Sequence, residues 1–368
     1  MIVKNVDYYN YRNIEQSNIT FEKGVNILWG DNAQGKTNAL EGIYCFACGK
    51  SFRGAKDREL IFYEKDAGHI KMIFEDEERE QNLLLKLYRD KKREMKKNDI
   101  AVRSTADFVG IFHAVLFCPE HLFIVQGAPA IRRAFLDTAI CQLRPTYLSS
   151  LTEYAKLLKQ RNALLKDGKT EIKARKPLYE ILTEQLAIVN TRIVQTRMKY
   201  VKLLNEAVDG FMRDMTGGAE RTALVYQSDA KPEEYGSDAK EMTRYFYEKS
   251  LSYASREFAA EKTLHGCHKD DIDILLNERA AKTYASQGQS RSIALAMKLG
   301  EGDLSKTATG EYPVFLFDDV LSELDANRQG YLMKSLDERQ VIITSCNEEL
   351  FKGIDANLVH VTNGTYEA

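Results

Sequence analysis

The chain has 368 residues, 44% hydrophobic and 29% charged, which is enough apolar mass for a large core and a length of about two domains. Its 52 basic and 54 acidic residues leave a net charge of −2, which excludes a wholesale polycation but leaves room for local basic patches. Only 6 prolines and 22 glycines argue against a long disordered or fibrous tract.

No apolar run approaches the roughly 18 residues that a membrane span requires, and the first twenty residues lack the pattern of a secretory signal. A cytoplasmic protein is therefore expected. Its cysteines (Cys45, Cys48, Cys118, Cys141, Cys267 and Cys346) should be reduced thiols. Cys45 and Cys48 form a CxxC, but they fall inside an apolar helical run with no second pair. They are read as small buried side chains.

In chain order, Ile2 to Asp7 and Asn18 to Phe21 alternate apolar and polar residues, as short strands do. Val25 to Trp29 is a further strand. A glycine-bearing turn follows, then a helical stretch from Thr37 to Phe46. Residues 69–103 read as strands broken by polar turns, with an acidic turn over Glu75 to Glu80 and a hairpin turn at Lys97-Asn98-Asp99. Over 131–213 the spacing becomes helical: Leu151, Tyr154, Leu157, Leu158, Leu164 and Leu165 recur on one face. Asp167-Gly168 interrupts this pattern, and a second helix is expected from about Leu178 to Met212, giving an αα-hairpin rather than a long coiled-coil arm. From Leu224 strands return. Ile272 to Leu276, Val314 to Phe317 and Val341 to Thr344 are expected strands, and Gln289 to Leu299 a helix. The organisation expected is an α/β lobe built from both ends of the chain, 1–130 and 260–368, with a mainly helical lobe, 131–260, inserted between them.

Gly30-Asp31-Asn32-Ala33-Gln34-Gly35-Lys36-Thr37 matches G-x-x-x-x-G-K-[ST] in full. The glycines let backbone N–H groups face a phosphate, Lys36 reaches the β/γ-phosphates and the Thr37 hydroxyl ligates Mg²⁺. The helix beginning there adds its positive dipole end, with Asn38 in its first turn. A chance glycine-rich turn would not sit between a strand and a helix. Val314-Phe315-Leu316-Phe317-Asp318-Asp319 is an apolar strand ending in two acids, the expected partner of such a loop: Asp318 for the Mg²⁺ and Asp319 to polarise the attacking water. Ser286-Gln287-Gly288-Gln289-Ser290-Arg291 places a serine and a glycine before an apolar helix. Alone, this reads as an ordinary N-cap or an anion site.

The order of these motifs, with Ser322-Glu323-Leu324-Asp325 following the acids, is similar to that of ABC-type ATPases: Walker A, signature, Walker B and D-loop. The set resembles the RecF family of bacterial recombination and repair proteins, relatives of the SMC proteins. Further stretches that fit are Asn10-Tyr11-Arg12-Asn13, Ser51-Phe52-Arg53, Phe117-Cys118-Pro119-Glu120, Pro129 with Arg132-Arg133-Ala134-Phe135-Leu136-Asp137, Arg161-Asn162 and His268-Lys269-Asp270-Asp271. The resemblance implies an ABC-type P-loop head of two lobes, with a mixed sheet and a mainly helical second lobe. It implies a protein that dimerises on ATP, with each nucleotide held between Walker A of one copy and Ser286, Gly288 and Gln289 of the other. Arg12 is carried over as an ATP contact, and Asp319 and Lys36 as the catalytic pair. Slow, DNA-stimulated hydrolysis would release the dimer. The family acts at gaps and at single-strand/double-strand junctions, and helps load recombinase with RecO and RecR. The departures are Asp319 where ABC proteins carry glutamate, Gln287 inside the signature, and Thr344-Ser345-Cys346 where a switch histidine stands. Gln126 and Glu120 both fall where the Q-loop glutamine belongs.

Two basic clusters are candidates for non-sequence-specific contact with DNA, single- or double-stranded. Lys86 to Lys97 includes Lys91, Lys92, Arg93 and Lys96; Lys156 to Lys176 includes Lys159 and Arg161. The alternative for each is a solvated face. Arg132 and Arg133 are candidates for DNA or the dimer interface, or Arg133 pairs with Asp137 one turn on. His268, Asp270 and Asp271 read as a structural turn near the nucleotide site rather than a metal cluster. The competing function is a small-molecule P-loop kinase, or another ABC-type ATPase without a DNA role. The kinase would have no use for the serine motif at 286.

Overall fold

A computed structural model describes residues 1–229, 238–337, 339–346 and 355–367. Two six-stranded sheets and a helical region share the mass. The first sheet contains β1 (Ile2–Tyr11), β2 (Ile14–Thr20), β4 (Ala67–Glu75), β5 (Glu80–Tyr88), β6 (Glu94–Lys97) and β7 (Ile100–Val102), in the order β2-β1-β4-β5-β6-β7 and antiparallel throughout. Buried and exposed residues alternate along β4 and β5, so one face is core and the other meets solvent. The turn between β6 and β7 puts Asn98 and Asp99 at positive φ, the geometry that a two-residue hairpin asks for.

The second sheet runs β15 (Thr365–Glu367), β14 (Ala356–Thr362), β3 (Val25–Trp29), β13 (Val341–Ser345), β12 (Val314–Asp318) and β8 (Ala114–Phe117). All neighbours are parallel except the β14–β15 pair at one edge. Every residue of β8, β12 and β13 is buried, as unbroken apolar runs require when both faces are covered. The helix Lys36–Cys48 lies between the two sheets. Leu40, Ile43 and Phe46 share a core with Val6 and Leu83 of the first sheet and Leu28, Leu316 and Ile342 of the second. With neighbours on both sides it has no solvent stripe, and its CxxC thiols are buried, free and pushed up to about 12 by burial. The opposite face of the parallel sheet, through Ile27, Phe315, Phe317 and Ile343, packs on Leu295 and Leu299 of the helix Gln287–Thr309 and Leu332 of the helix Ala326–Ser335.

The helical region holds the helices Pro129–Leu143, Pro145–Lys166 and Ile172–Thr216, then Ala239–Ser252 and Ala254–Ala260. The break at Asp167-Gly168 stands where the sequence puts it. The second long helix starts earlier than expected and is 45 residues long, with Pro177 inside it. A small sheet, β9 (Thr222–Gln227), β10 (Asp271–Leu276) and β11 (Arg279–Ala280), joins this region. The helical core therefore draws on residues after 260, including Cys267, Ile272, Ile274 and Ala281. Ile293, Ala296 and Met297 of the helix Gln287–Thr309 enter the same core, so that helix bridges the parallel sheet and the helices.

Buried arginines tie this region together, and they correct three sequence expectations. Arg161 is fully buried: its guanidinium meets Glu257 at 2.6 Å, donates to Thr183 and Thr263 and lies over the Tyr179 ring. Arg132 is 4% exposed and forms a two-pronged pair with Asp271, at 2.7 and 2.8 Å. Neither presents its charge to DNA. Arg133 donates to the Asp270 carbonyl, while Asp137 is held by Arg197 and Tyr147, so the expected Arg133–Asp137 pair is not formed. His268 bonds Tyr154 OH at 2.8 Å, within the helical region. Among the described residues no group of His, Cys, Asp and Glu could hold a metal ion, and no helix is long and apolar enough to cross a membrane.

Candidate nucleotide-binding site

β3 delivers the chain to the loop Gly30–Gly35, and the helix Lys36–Cys48 leaves it. Gly30 has φ +147, and a side chain there would begin 2.4 Å from the Val361 carbonyl oxygen, so the loop requires glycine at its entrance. Lys36 is 7% exposed, and its Nζ donates to the carbonyls of Gly30 and Asp31 at 2.7 and 2.6 Å. The ammonium thus lies over the loop at the mouth of a cleft of about 350 Å³. Asn32, Ala33, Gly35, Thr37, Asn38, Arg53, Asp319, Thr344 and Cys346 are among its lining residues. Gln34 sits outside this wall and anchors the loop to the β14–β15 turn, accepting from Asn363 N at 2.7 Å.

Parallel pairing sets Asp318 of β12 opposite Thr344 of β13. Thr37 Oγ1 and Thr344 Oγ1 both reach Asp318 Oδ1, at 2.7 and 2.9 Å, and the Thr344 hydroxyl also accepts from Asp319 N at 3.0 Å. Burial pushes the Asp318 carboxyl up from its ordinary value, against the hydrogen bonds from Thr37 and Thr344. Burial and the neighbouring Asp318 charge push Asp319 up as well, with Lys36 opposing. Asp319 has φ +52, a left-handed backbone rare outside glycine, which turns its side chain away from the strand direction and into the cleft. A hydroxyl and a carboxylate oxygen 2.7 Å apart at a phosphate loop are the donor set a small hard cation takes, so Thr37 and Asp318 fit Mg²⁺.

Arg12 lies one side chain away from the phosphate cleft. It pairs with Glu41 at 2.8 Å and donates to the Glu59 carbonyl, and it lines an adjoining cleft that shares Asn13, Asn38 and Arg53 with the first. Arg53 completes the arrangement: it bonds Glu41 and Asn38 and faces both clefts. The sequence marks Arg53 only within a family-like stretch and Thr344 only at the switch position; the structure gives both a place at the cleft. Burial works against the charge on Glu41, but hydrogen bonds from Arg12, Arg53 and Ser51 outweigh it and hold the carboxyl at about 2.

Ser286 caps the helix Gln287–Thr309. Its Oγ accepts from Gln289 N at 3.1 Å, and Gln289 Oε1 accepts from Ser286 N at 2.8 Å, a reciprocal capping box. Gln289 also donates to Glu220. Ser286 is exposed, and none of these bonds reaches the loop at Gly30–Thr37. Within one chain the signature and the phosphate loop are separate sites. Gln126 donates to Ser290 Oγ at 3.3 Å, linking the candidate Q-loop to the same helix.

Of the basic candidates, Arg93 is taken up internally by Asp57 and the Gly49 carbonyl, which removes it as a free DNA contact. Lys91 is exposed but pairs with Glu94 at 3.0 Å. Lys92 and Lys159 are exposed and Lys96 is half-buried on β6.

The family described as RecF/RecN/SMC N terminal domain matches residues 2–366. The DNA replication and repair protein RecF of Bacillus thuringiensis (strain Al Hakam) is 37% identical over 374 residues, spanning 100% of this chain and 98% of that protein. The protein of the same name from Bacillus cereus (strain AH820) is 36% identical over the same share. A solved structure described as the recombination mediator protein RecF-ATPrS in the RecFOR pathway superposes with a TM-score of 0.91 at 30% identity, over 99% of this chain and 97% of that one. An Smc head from Pyrococcus furiosus with an extended coiled coil, bound to the C-terminal domain of ScpA, shares the fold at a TM-score of 0.55 and 15% identity. A full-length match at this identity, with each motif of the nucleotide site in place, means that the chain belongs to the RecF family.

Proposed function

We propose that this protein is an ATP-dependent recombination mediator of DNA replication and repair. In this reading two copies close on ATP while bound to DNA at gaps or single-strand/double-strand junctions, help load recombinase together with RecO- and RecR-type partners, and separate after slow hydrolysis. The observation that carries it is the division of the site. One chain brings Lys36, Thr37 and Asp319 to one cleft, with Asp318 bonded to Thr37 behind it, while Ser286 stays exposed, Gly288 and Gln289 stay half-buried, and no hydrogen bond among the described residues joins them to that cleft. An exposed helix N-terminus capped by serine suits the γ-phosphate of a nucleotide held by a second copy.

In this arrangement the loop amides of Gly30–Gly35 and the Lys36 ammonium hold the β- and γ-phosphates. Thr37 and Asp318 hold the Mg²⁺, which when bound neutralises charge on those phosphates. Asp319, raised from the ordinary carboxylate range, is in this reading the general base for the attacking water. Arg12 and Arg53, fixed by Glu41, line the cleft into which the rest of the nucleotide extends. Lys91, Lys92, Lys96 and Lys159 supply backbone contacts to DNA, and dimerisation doubles each of them. The small-molecule kinase reading leaves the capped signature without a role. A cytoplasmic location accompanies the proposal.

Ser286→Arg tests it. Each chain should still bind Mg-ATP, measured by equilibrium titration, while the ATP-dependent rise in affinity for gapped DNA disappears. Retention of that rise in the variant would remove the two-copy site.

A further inference from the structure

Arg328 lies in the first turn of the helix Ala326–Ser335, three residues after its cap Asp325. Its guanidinium does not face its own helix alone. Nε donates to Ser292 Oγ at 2.8 Å and Nη1 pairs with Asp325, which together pin the side chain across the start of the helix Gln287–Thr309. The remaining nitrogen, Nη2, has no hydrogen-bond partner among the described residues. It is the nearest atom, at 3.0 Å, to the point where a side chain on Gly288 would begin. Gly288 does not have a positive φ, so the backbone conformation does not demand glycine there. What occupies the space of a side chain is this guanidinium. Burial disfavours the Arg328 charge, Glu220 supports it and Arg291 opposes it. A free N–H fork is therefore held beside the N-terminus of a 23-residue helix, next to an exposed serine hydroxyl and within a chain whose own phosphate loop lies elsewhere.

We propose that Arg328 acts in trans: in the ATP-bridged dimer its Nη2 donates to the γ-phosphate held by the phosphate loop of the second copy. The inference rests on the two-copy reading above. During hydrolysis the water oxygen bonds to the γ-phosphorus, the bond from that phosphorus to the β,γ-bridging oxygen breaks, and the water proton passes to Asp319. ADP and phosphate leave. The charge that spreads over the γ-oxygens in this step is what a fixed guanidinium stabilises. Arg328 is restrained by Asp325 and Ser292 before the partner arrives, so little side-chain freedom is lost on closure.

The experiment uses Arg328→Ala and Arg328→Lys in the full chain, with light scattering for the dimer and phosphate release for turnover. Mg-ATP binding by the single chain should stay within about twofold, because Arg328 does not line the phosphate cleft. Turnover should fall about tenfold or more for alanine, with partial return for lysine, which restores charge without the fork. Mixing then separates trans from cis. Arg328→Ala and Asp319→Asn, each impaired alone, pair to give one intact composite site per mixed dimer, and should recover up to about a quarter of wild-type turnover. A mixture no better than its components overturns the assignment. So does a rise in ATP-dependent dimerisation of Arg328→Ala, which would make the guanidinium an obstruction over Gly288. A wild-type chain that stays single with Mg-ATP and DNA breaks the underlying two-copy reading instead, which is a different result from a wild-type dimer that tolerates Arg328→Ala.

Discussion

Replacing Thr344 with valine removes one hydroxyl at nearly constant volume and tests how the acid pair is held. That hydroxyl donates to Asp318 Oδ1 at 2.9 Å and accepts from Asp319 N at 3.0 Å. A hydrogen bond to a charged group contributes about 1.5–3 kcal/mol, and a buried N–H left without an acceptor costs about 1–3 kcal/mol. Asp318 keeps its bond from Thr37, and Asp319 is exposed enough for water to replace part of what its N–H loses. The net penalty is therefore about 2 kcal/mol. If it falls on the placement of the two acids, turnover drops about 30-fold. The positive φ of Asp319 strengthens the expectation, because the bond from its N–H helps hold a backbone conformation that costs energy by itself. The assay is steady-state phosphate release beside equilibrium ATP binding, for Thr344→Val and Thr344→Ser, with thermal unfolding to confirm that each variant folds. Serine restores the hydroxyl and should restore turnover, while ATP affinity changes little in either. A serine variant as impaired as the valine variant would show that the methyl packing matters and that the hydroxyl does not hold the acids.

Glu41 has a folded-state pKa of about 2, held there by Arg12, Arg53 and Ser51 against burial. A depressed carboxylate contributes its stability above the unfolded value and loses it as pH falls toward the folded one. That contribution is on the order of 3 kcal/mol, lost between about pH 4.5 and 2. Urea unfolding should show wild type more stable than Glu41→Gln at neutral pH, with the gap narrowing through that window; a gap independent of pH contradicts the assignment. Arg161→Ala leaves Glu257 buried and unpaired and should destabilise by about 3–5 kcal/mol, read from denaturant midpoints, without changing the salt dependence of DNA binding. Lys92→Ala with Lys96→Ala should do the reverse, leaving stability nearly unchanged and flattening the slope of affinity against salt. Gly30→Ala should abolish ATP binding in calorimetry, because its methyl would meet the Val361 carbonyl at 2.4 Å.

The nucleotide site was legible because its parts are local. A strand, a glycine loop and a helix occupy 25–48, and an apolar strand with two acids occupies 314–319, so pattern and chemistry fall within one short window each. What the sequence hid was decided by pairing at a distance. Arg161 stands in a basic run and Arg132 at the start of an apolar helix, where both look solvated, yet their acids, Glu257 and Asp271, lie 96 and 139 residues further along. Arg93 was lost to Asp57 in the same way. Thr344 and Arg53 lie in stretches the sequence marks, but their contacts come from sheet register and from Glu41, which the stretches themselves do not show. The long helix begins before its expected start, and what ties the added turn down is Arg175, which donates to the Leu164 and Leu165 carbonyls at the end of the preceding helix, a contact no local pattern announces.

In the proposed mechanism ATP joins two copies of this chain. Solution mass by light scattering, with and without Mg-ATP, on wild type and Asp319→Asn measures that directly. The expected result is a single chain without nucleotide, a dimer with Mg-ATP, and a longer-lived dimer for Asp319→Asn because hydrolysis no longer resets it. A single chain in every condition, with DNA present as well, would mean that ATP does not join two copies.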